Sequence, residues 1–154
     1  MAIQKKVQIK NKKARFEYEI LDKYTAGIVL RGSEIKAIRE GKASIAESFC
    51  EFSNGELFVI NMTVQEYSHA THYNHNPKQE RKLLLNRSEL KKLEKEVKNT
   101  GLTIIPLLLF TNEKGLAKLE IALCRGKKHF DKREAIKERD TKRDLSRIKK
   151  SFNN

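Results

Sequence analysis

The chain has 154 residues, with 33 Lys and Arg against 20 Asp and Glu, and a formal net charge of +13. Its hydrophobic share of 38% allows one compact core but falls below the about 45–50% that is usual in globular domains. With no apolar run of the ~20 residues that span a bilayer, no secretory leader and only Cys50 and Cys124, we expect a cytoplasmic protein without a membrane role.

The positive charge lies at the two ends of the chain. Residues 1–15 carry six basic and no acidic residues, and residues 125–154 carry twelve basic and five acidic ones. The stretch between them has fifteen of each sign and is neutral. Basic arms on a neutral body favour a polyanionic partner, and nucleic acid in particular, over the alternative of arms that serve solubility alone. An acidic membrane is a weaker alternative, because Val7 and Ile9 alternate with polar residues as in a strand.

The first half of the chain is predicted to be mainly β. Apolar–polar alternation and β-branched runs predict strands at 16–20, 26–30, 44–52 and 56–60. Ile35 and Ile38, which lie between Ser33 and Gly41, predict one or two helical turns. The Ser-Asn-Gly sequence at 53–55 is typical of a hairpin turn.

The second half adds one helix and a hairpin. Asn86 and Glu89 have the spacing of a capping box, which predicts a helix of about three turns that ends before Gly101. Apolar runs at 102–110 and 116–124 predict a central hairpin, with Pro106 at an edge or a bulge. The fold class is therefore mainly β with flanking helices: a small closed antiparallel barrel of the oligonucleotide-binding kind over 1–125.

Residues 126–154 form a predicted basic tail. On a helical projection, Lys132, Arg139, Arg143, Arg147 and Lys150 fall within an arc of about 80°. The tail has few apolar residues, so we expect it to be disordered when free and helical against RNA. The alternative is a solvated tail with no target.

A metal site and an enzyme are both weakly supported. His69, His72 and His75 have three-residue spacing but no nearby thiolate, so we expect no metal and no cofactor. No nucleophile–base pair stands out, and Lys127 and Lys128 after Gly126 predict phosphate contacts rather than a nucleotide loop. Arg81 and Lys82 are predicted to meet phosphates at a basic rim, where Tyr67, Tyr73 and His75 could stack on bases.

Four motifs in order closely resemble the SsrA-binding protein (SmpB) family of bacteria. They are Asn-Lys-Lys-Ala-Arg-Phe-Glu-Tyr at 11–18, Ala-Gly-Ile-Val-Leu-Arg-Gly-Ser-Glu-Ile-Lys at 26–36, Arg-Lys-Leu-Leu-Leu-Asn at 81–86 and Gly-Lys-Lys-His-Phe-Asp-Lys-Arg-Glu at 126–134. The resemblance covers residues 8–150 and implies a non-enzymatic RNA-binding protein of trans-translation.

The family resemblance also implies the partners. The barrel would bind the tRNA-like domain of tmRNA (SsrA RNA) and deliver it to stalled ribosomes. The tail would occupy the decoding centre and empty mRNA channel of the small subunit. Elongation factor Tu and alanyl-tRNA synthetase would be reached only indirectly, through tmRNA, and a monomer is expected.

The resemblance assigns residues to two surfaces. The surface for tmRNA would include Leu84, Lys118, Asn11, Lys12, Lys13 and Arg15. It would also include the residues predicted from charge, which are Arg81, Lys82, Lys127 and Lys128. The ribosome-binding tail would use the matching residues Asp131, Lys132, Arg133, Ile136 and Lys137. The stripe of Arg139, Arg143 and Arg147 would then contact rRNA phosphates. Phe130, at a position that varies in relatives, would stack on a decoding-centre base. Thr25 replaces a Glu that many relatives use for tmRNA, so that contact is either absent or replaced. Thr141 replaces a large aromatic residue of some relatives, which weakens the prediction of a stacking residue there.

Overall fold

The computed structural model describes residues 7–68, 74–98 and 101–127. Within these ranges the protein is mainly β, as the sequence predicts, and it has three short helices, one more than the two predicted. The strands are β1 Gln8–Lys10, β2 Tyr18–Ile28, β3 Ala43–Ser44, β4 Phe49–Ser53, β5 Glu56–Ile60, β6 Thr63–Val64, β7 Arg81–Leu84, β8 Leu102–Thr111 and β9 Ala117–Gly126. The helices are α1 Ala14–Glu17, α2 Gly32–Arg39 and α3 Arg87–Val97.

Six strands pair in a closed ring. The main sheet has the order β1-β8-β4-β5-β7-β2-β9. Because β8 also pairs with β9, the six strands from β8 to β9 in this order close into a ring, and β1 is attached to the ring through β8. Every pairing is antiparallel, and the longest ones join β9 to β2 and to β8. By contrast, β4 meets β8 at one residue pair, Cys50 with Ile104. The continuous part of the ring is therefore the surface of β2, β9 and β8.

The main core fills the inside of the ring. Leu57, Leu109 and Leu119 point inward and are fully buried, while α2 and α3 add Ile38 and Leu93 from outside the strands. Each such side chain contributes about 1.5–3 kcal/mol by leaving water. Both helices are therefore attached to the ring by apolar contacts, and the predicted capping box of α3 is confirmed.

A second, smaller core lies on the outer face of the ring. Here α1 lays Ala14 against Ile105, Leu107, Ala122 and Cys124. The strands β8 and β9 are buried on both faces at this point, which explains why their sequences read as nearly continuous apolar runs. The strand predicted at 16–20 is wrong in its first part, because α1 extends to Glu17 to cover this patch.

The bends in the chain follow local chemistry. The strand predicted at 44–52 is split into β3 and β4 by a turn in which the Ser48 hydroxyl donates to the Ile45 carbonyl at 2.6 Å. The predicted hairpin turn is confirmed, with positive φ at Asn54 and Gly55. Pro106 lies at a register shift of the β8–β9 pair, so the predicted bulge is also confirmed.

The cysteines and His75 belong to the packed interior. Burial raises the pKa of the Cys124 thiol to about 12 and also raises that of Cys50, and both thiols are free. The Nε2–H of His75 donates to the Val64 carbonyl at 2.9 Å, which leaves Nδ1 to accept from the Ser33 hydroxyl at 2.9 Å. No group of three potential metal ligands occurs in the described residues, and His69 and His72 lie outside them. No helix of the described residues could span a membrane.

Candidate nucleic-acid interface

Four residues form one outward-facing row across the continuous part of the ring. Leu84 of β7 lies opposite Gly27 of β2, which in turn lies opposite Lys118 of β9. Lys118 pairs with Phe110 of β8. Residues directly opposite each other share one face of a sheet, and their neighbours Leu109 and Leu119 point into the core. We call this set the Leu84 row.

Gly27 leaves the middle of the Leu84 row without a side chain. A Cβ atom added at Gly27 would lie 3.5 Å from the Leu84 Cβ and 3.7 Å from the Lys118 Nζ, so both side chains border the space above the Gly27 backbone. Leu84 is 52% exposed although it is a leucine in a strand. In the described part of the chain, no carboxylate pairs with Lys118. The row thus presents an apolar group beside a cation, which suits a base or ribose next to its phosphate.

The next row borders a basic cavity. In this row, Glu120 of β9 lies opposite Thr25 of β2 and Leu108 of β8, and Leu108 in turn lies opposite Lys10 of β1. Beside them is a cavity of about 430 Å³, which we call the basic cavity. Four basic side chains, one carboxylate and three further residues line it: Lys10, Lys12, Arg15, Lys23, Glu120, Asn11, Leu107 and Leu108. Its excess of cations makes it a second place where RNA phosphate is attracted.

Asn11 holds the segment between β1 and α1 against the ring. Its backbone N–H donates to the Leu107 carbonyl at 2.9 Å, and its side-chain amide donates to the Pro106 and Ile45 carbonyls at 2.9 and 3.2 Å. Asn11 is only 6% exposed and its amide nitrogen donates into the protein, so its role in the described structure is to hold this segment in place, and its own RNA contact stays a prediction. It is a positioning residue that turns Lys12 outward at the entrance to α1, where Lys12 is exposed.

Arg81 is the clearest error of the sequence prediction. Its guanidinium is fully buried in an ion pair with Glu34 of α2 and also donates to the Met62, Gln79 and Pro77 carbonyls. It therefore cannot reach an RNA phosphate. Instead it joins α2 to the segment that precedes β7, a role that the alternation of the sequence does not reveal.

The predicted aromatic rim is only partly formed. His75 is buried by its bonds to Ser33 and Val64 and cannot stack on a base, which corrects that expectation. Tyr67 is half-buried, with the Lys36 ammonium 5.6 Å from its ring centre, and Tyr73 lies outside the described residues. Lys82, which follows Arg81 in β7, is half-buried, and its ammonium pairs with the Glu56 carboxylate at 3.0 Å on the surface. Of the predicted rim, Lys82 and Leu84 lie on the candidate RNA-binding surface, whereas Arg81 does not.

The other predicted cations lie at different distances from the Leu84 row. Lys13 is exposed and bonds Glu47 at 3.2 Å, a surface pair that contributes little to stability and can open for a phosphate. Lys127 ends the described chain, where its backbone N–H donates to the Glu17 carbonyl at 2.9 Å. Along β9, at about 3.3 Å per residue, it lies roughly 30 Å from Lys118. Lys128 and all the predicted tail residues lie outside the described residues.

Several residues of this surface were not predicted. The strand register alone places five further residues on this surface: Gly27, Phe110, Lys10, Lys23 and Glu120. The alternation of outward residues along β2 and β9 was the one signal available, and it does not say which residues lie opposite. The candidate interface therefore extends from the predicted Leu84 and Lys118 across the ring to the predicted Lys12 and Arg15.

Comparisons with known proteins agree with one another. The model of the family described as SmpB protein matches residues 8–151. The chain is 71% identical to the SsrA-binding protein of Christiangramia forsetii, over 95% of this chain and 93% of that one, and 50% identical to that of Allorhizobium ampelinum, over 95% and 92%. A protein chain in the solved structure "tmRNA-SmpB: a journey to the center of the bacterial ribosome" superposes with a TM-score of 0.68 at 41% identity, over 84% and 94% of the two chains.

Proposed function

The chain belongs to the SmpB protein family, and on that premise we propose that it binds SsrA RNA (tmRNA) and delivers it to stalled ribosomes. The observation that carries the proposal is the Leu84 row, where an exposed leucine and a lysine without an ion-pair partner among the described residues flank a glycine on the continuous face of the ring. We take this ring to be the oligonucleotide-binding barrel that the sequence predicted. Its role is binding rather than catalysis.

The chemistry of the surface fits a folded RNA. Lys118, Lys12 and Arg15 supply charge for phosphates, while Leu84 and Phe110 supply apolar contact for a base or a ribose. The cations lie on strands or beside them, so their spacing is fixed before the RNA arrives. A preformed array of this kind favours one backbone geometry, such as that of a tRNA-like domain, over an unstructured strand.

The basic tail is proposed to act on the ribosome. The last described residue, Lys127, lies roughly 30 Å from Lys118 along β9, so RNA on the Leu84 row need not cover the point at which residues 128–154 begin. We assign the tail to the decoding centre and the empty mRNA channel. Elongation factor Tu and alanyl-tRNA synthetase would act through the bound tmRNA, on a monomeric protein working in the cytoplasm, where ribosomes are.

Replacing the Lys118 ammonium tests the RNA-binding surface. We expect Lys118→Ala to weaken binding of the tRNA-like domain of SsrA RNA about three- to tenfold, because one phosphate contact is lost. The dependence of log Kd on log salt should also become shallower by about 0.7–0.9, the value for one neutralised phosphate. Fluorescence titration at several salt concentrations measures both quantities.

The matched control is Lys91→Ala, which removes an exposed lysine of α3 that lies outside the Leu84 row. This variant should bind within about twofold of the wild type, since a distant exposed charge is screened. If the two variants lose the same affinity, Lys118 contributes only to the general charge of the protein, and the row is not the site.

A further inference from the structure

The basic cavity has one carboxylate among its lining residues, Glu120, and within the described residues no protein group forms a hydrogen bond to it. Glu120 projects from the outer face of β9, with its side chain 29% exposed. Its one ion-pair partner in the described residues is the Lys23 ammonium at 3.8 Å, the longest of the ion pairs within those ranges. That separation is too long for a hydrogen bond. Both carboxylate oxygens therefore retain the capacity to accept a hydrogen bond from a ligand.

A negative charge at this point is costly for an RNA-binding surface. Glu120 faces the same cavity as Lys10, Lys12 and Arg15, and it repels the phosphates that these residues attract. A carboxylate can only accept hydrogen bonds, and RNA offers matching donors in the ribose 2′-hydroxyl and in base amino and imino groups.

We propose that Glu120 accepts a hydrogen bond from a ribose 2′-hydroxyl or a base N–H of the bound RNA, and thereby sets specificity while the surrounding cations set affinity. The proposal rests on the proposed function, since SsrA RNA is its ligand. It assigns to the basic cavity a nucleotide subsite with two parts. Cations hold the phosphate, and one carboxylate recognises a donor that a bare phosphate ion lacks.

The size and place of the cavity fit this assignment. About 430 Å³ lies within the range of small-ligand pockets, which is enough for a nucleotide unit. Glu120 is two residues from Lys118 along β9, or about 7 Å. The subsite therefore adjoins the Leu84 row, so a single RNA strand can contact both. Thr25, directly opposite Glu120, is short and leaves the carboxylate accessible.

The test uses the sign of a mutational effect. In the full-length protein, Glu120→Ala removes both the negative charge and the acceptor. If Glu120 merely repels phosphate, this variant binds every RNA more tightly. If Glu120 accepts a hydrogen bond, the variant binds the tRNA-like domain of SsrA RNA about tenfold more weakly, because a charge-assisted bond is lost. Its binding to unstructured RNA of equal length is then unchanged or tighter.

Two further variants sharpen the result. Glu120→Gln keeps one acceptor oxygen without the charge, so it should lose less affinity than Glu120→Ala. Glu47→Ala removes the same charge from a side chain that is 78% exposed and lies outside the basic cavity, and it should bind both RNAs as well as the wild type or slightly better. Thermal melting confirms that each variant is folded.

The same titrations identify the donor and separate the two proposals. If the 2′-hydroxyl is the donor, 2′-deoxy substitution of the contacting nucleotide weakens the wild type but not Glu120→Ala. If a base is the donor, the substitution affects both proteins equally. A wild type that prefers SsrA RNA, together with a Glu120→Ala that binds it equally or more tightly, overturns the assignment of Glu120 alone. A wild type without any preference overturns the proposed function, and this subsite with it.

Discussion

Replacing Arg81 with methionine should lower the free energy of unfolding by about 3–5 kcal/mol, the largest loss of stability that we expect from a single change in this protein. The substitution leaves the Glu34 carboxylate buried without its counter-ion. It also leaves the Met62 and Pro77 carbonyls without their guanidinium donors. Urea unfolding followed by circular dichroism measures the change.

The double variant Glu34→Met, Arg81→Met separates the cost of an unpaired buried carboxylate at Glu34 from the cost of the carbonyls that lose their guanidinium donors. It removes both charges together, so a substantial part of the stability should return, because a buried pair is often replaced by apolar side chains at little cost. Lys82→Met, which breaks only the surface pair with Glu56, should change stability by less than about 1 kcal/mol. Equal losses from Arg81→Met and Lys82→Met would contradict the buried role of Arg81.

Ending the chain at Gly126 should abolish peptide tagging on stalled ribosomes while leaving most of the affinity for SsrA RNA. All residues of both cores precede this point, so the shortened protein keeps the packing of the ring. The removed residues carry eleven basic and five acidic side chains, and their loss should weaken RNA binding no more than a few-fold at physiological salt. In vitro translation on a message without a stop codon measures tagging, and titration measures binding.

A charge variant of the tail serves as the companion experiment. Replacing Arg139, Arg143 and Arg147 with alanine keeps the length of the tail and removes its predicted basic stripe. We expect reduced tagging with unchanged SsrA RNA affinity. If either tail variant loses RNA affinity in proportion to its loss of tagging, the division of labour between ring and tail is wrong.

Local signals in the sequence were sufficient for the turns and helices. The turn at Asn54 and Gly55, the capping box of Asn86 and the bulge near Pro106 depend on residues close in the chain, and all three were predicted. The partner of Arg81 lies 47 residues away, so the sequence could not show that this arginine is buried. A basic residue beside leucines is typical of a surface rim, and here tertiary pairing overrides that pattern.

The site itself depends on register, which a single sequence does not fix. Shifts at Ile20/Asp22 on β2 and at Pro106/Leu108 on β8 decide which residues of the long strands lie opposite each other. Without these bulges, a slip of one residue would turn the outward set inward. Leu84 and Lys118 could be assigned by family resemblance, but their meeting over Gly27 could be seen only in the structure.

The central claim is that the ring recognises a folded tRNA-like RNA and not merely a polyanion. Its most direct test is a competition at physiological salt between the tRNA-like domain of SsrA RNA and an unstructured RNA of equal length, both against labelled SsrA RNA. We expect the folded domain to compete better by on the order of a hundredfold or more, as for specific over non-specific binding of nucleic acids. Equal competition by the two RNAs would contradict the claim and would leave a general RNA-binding protein.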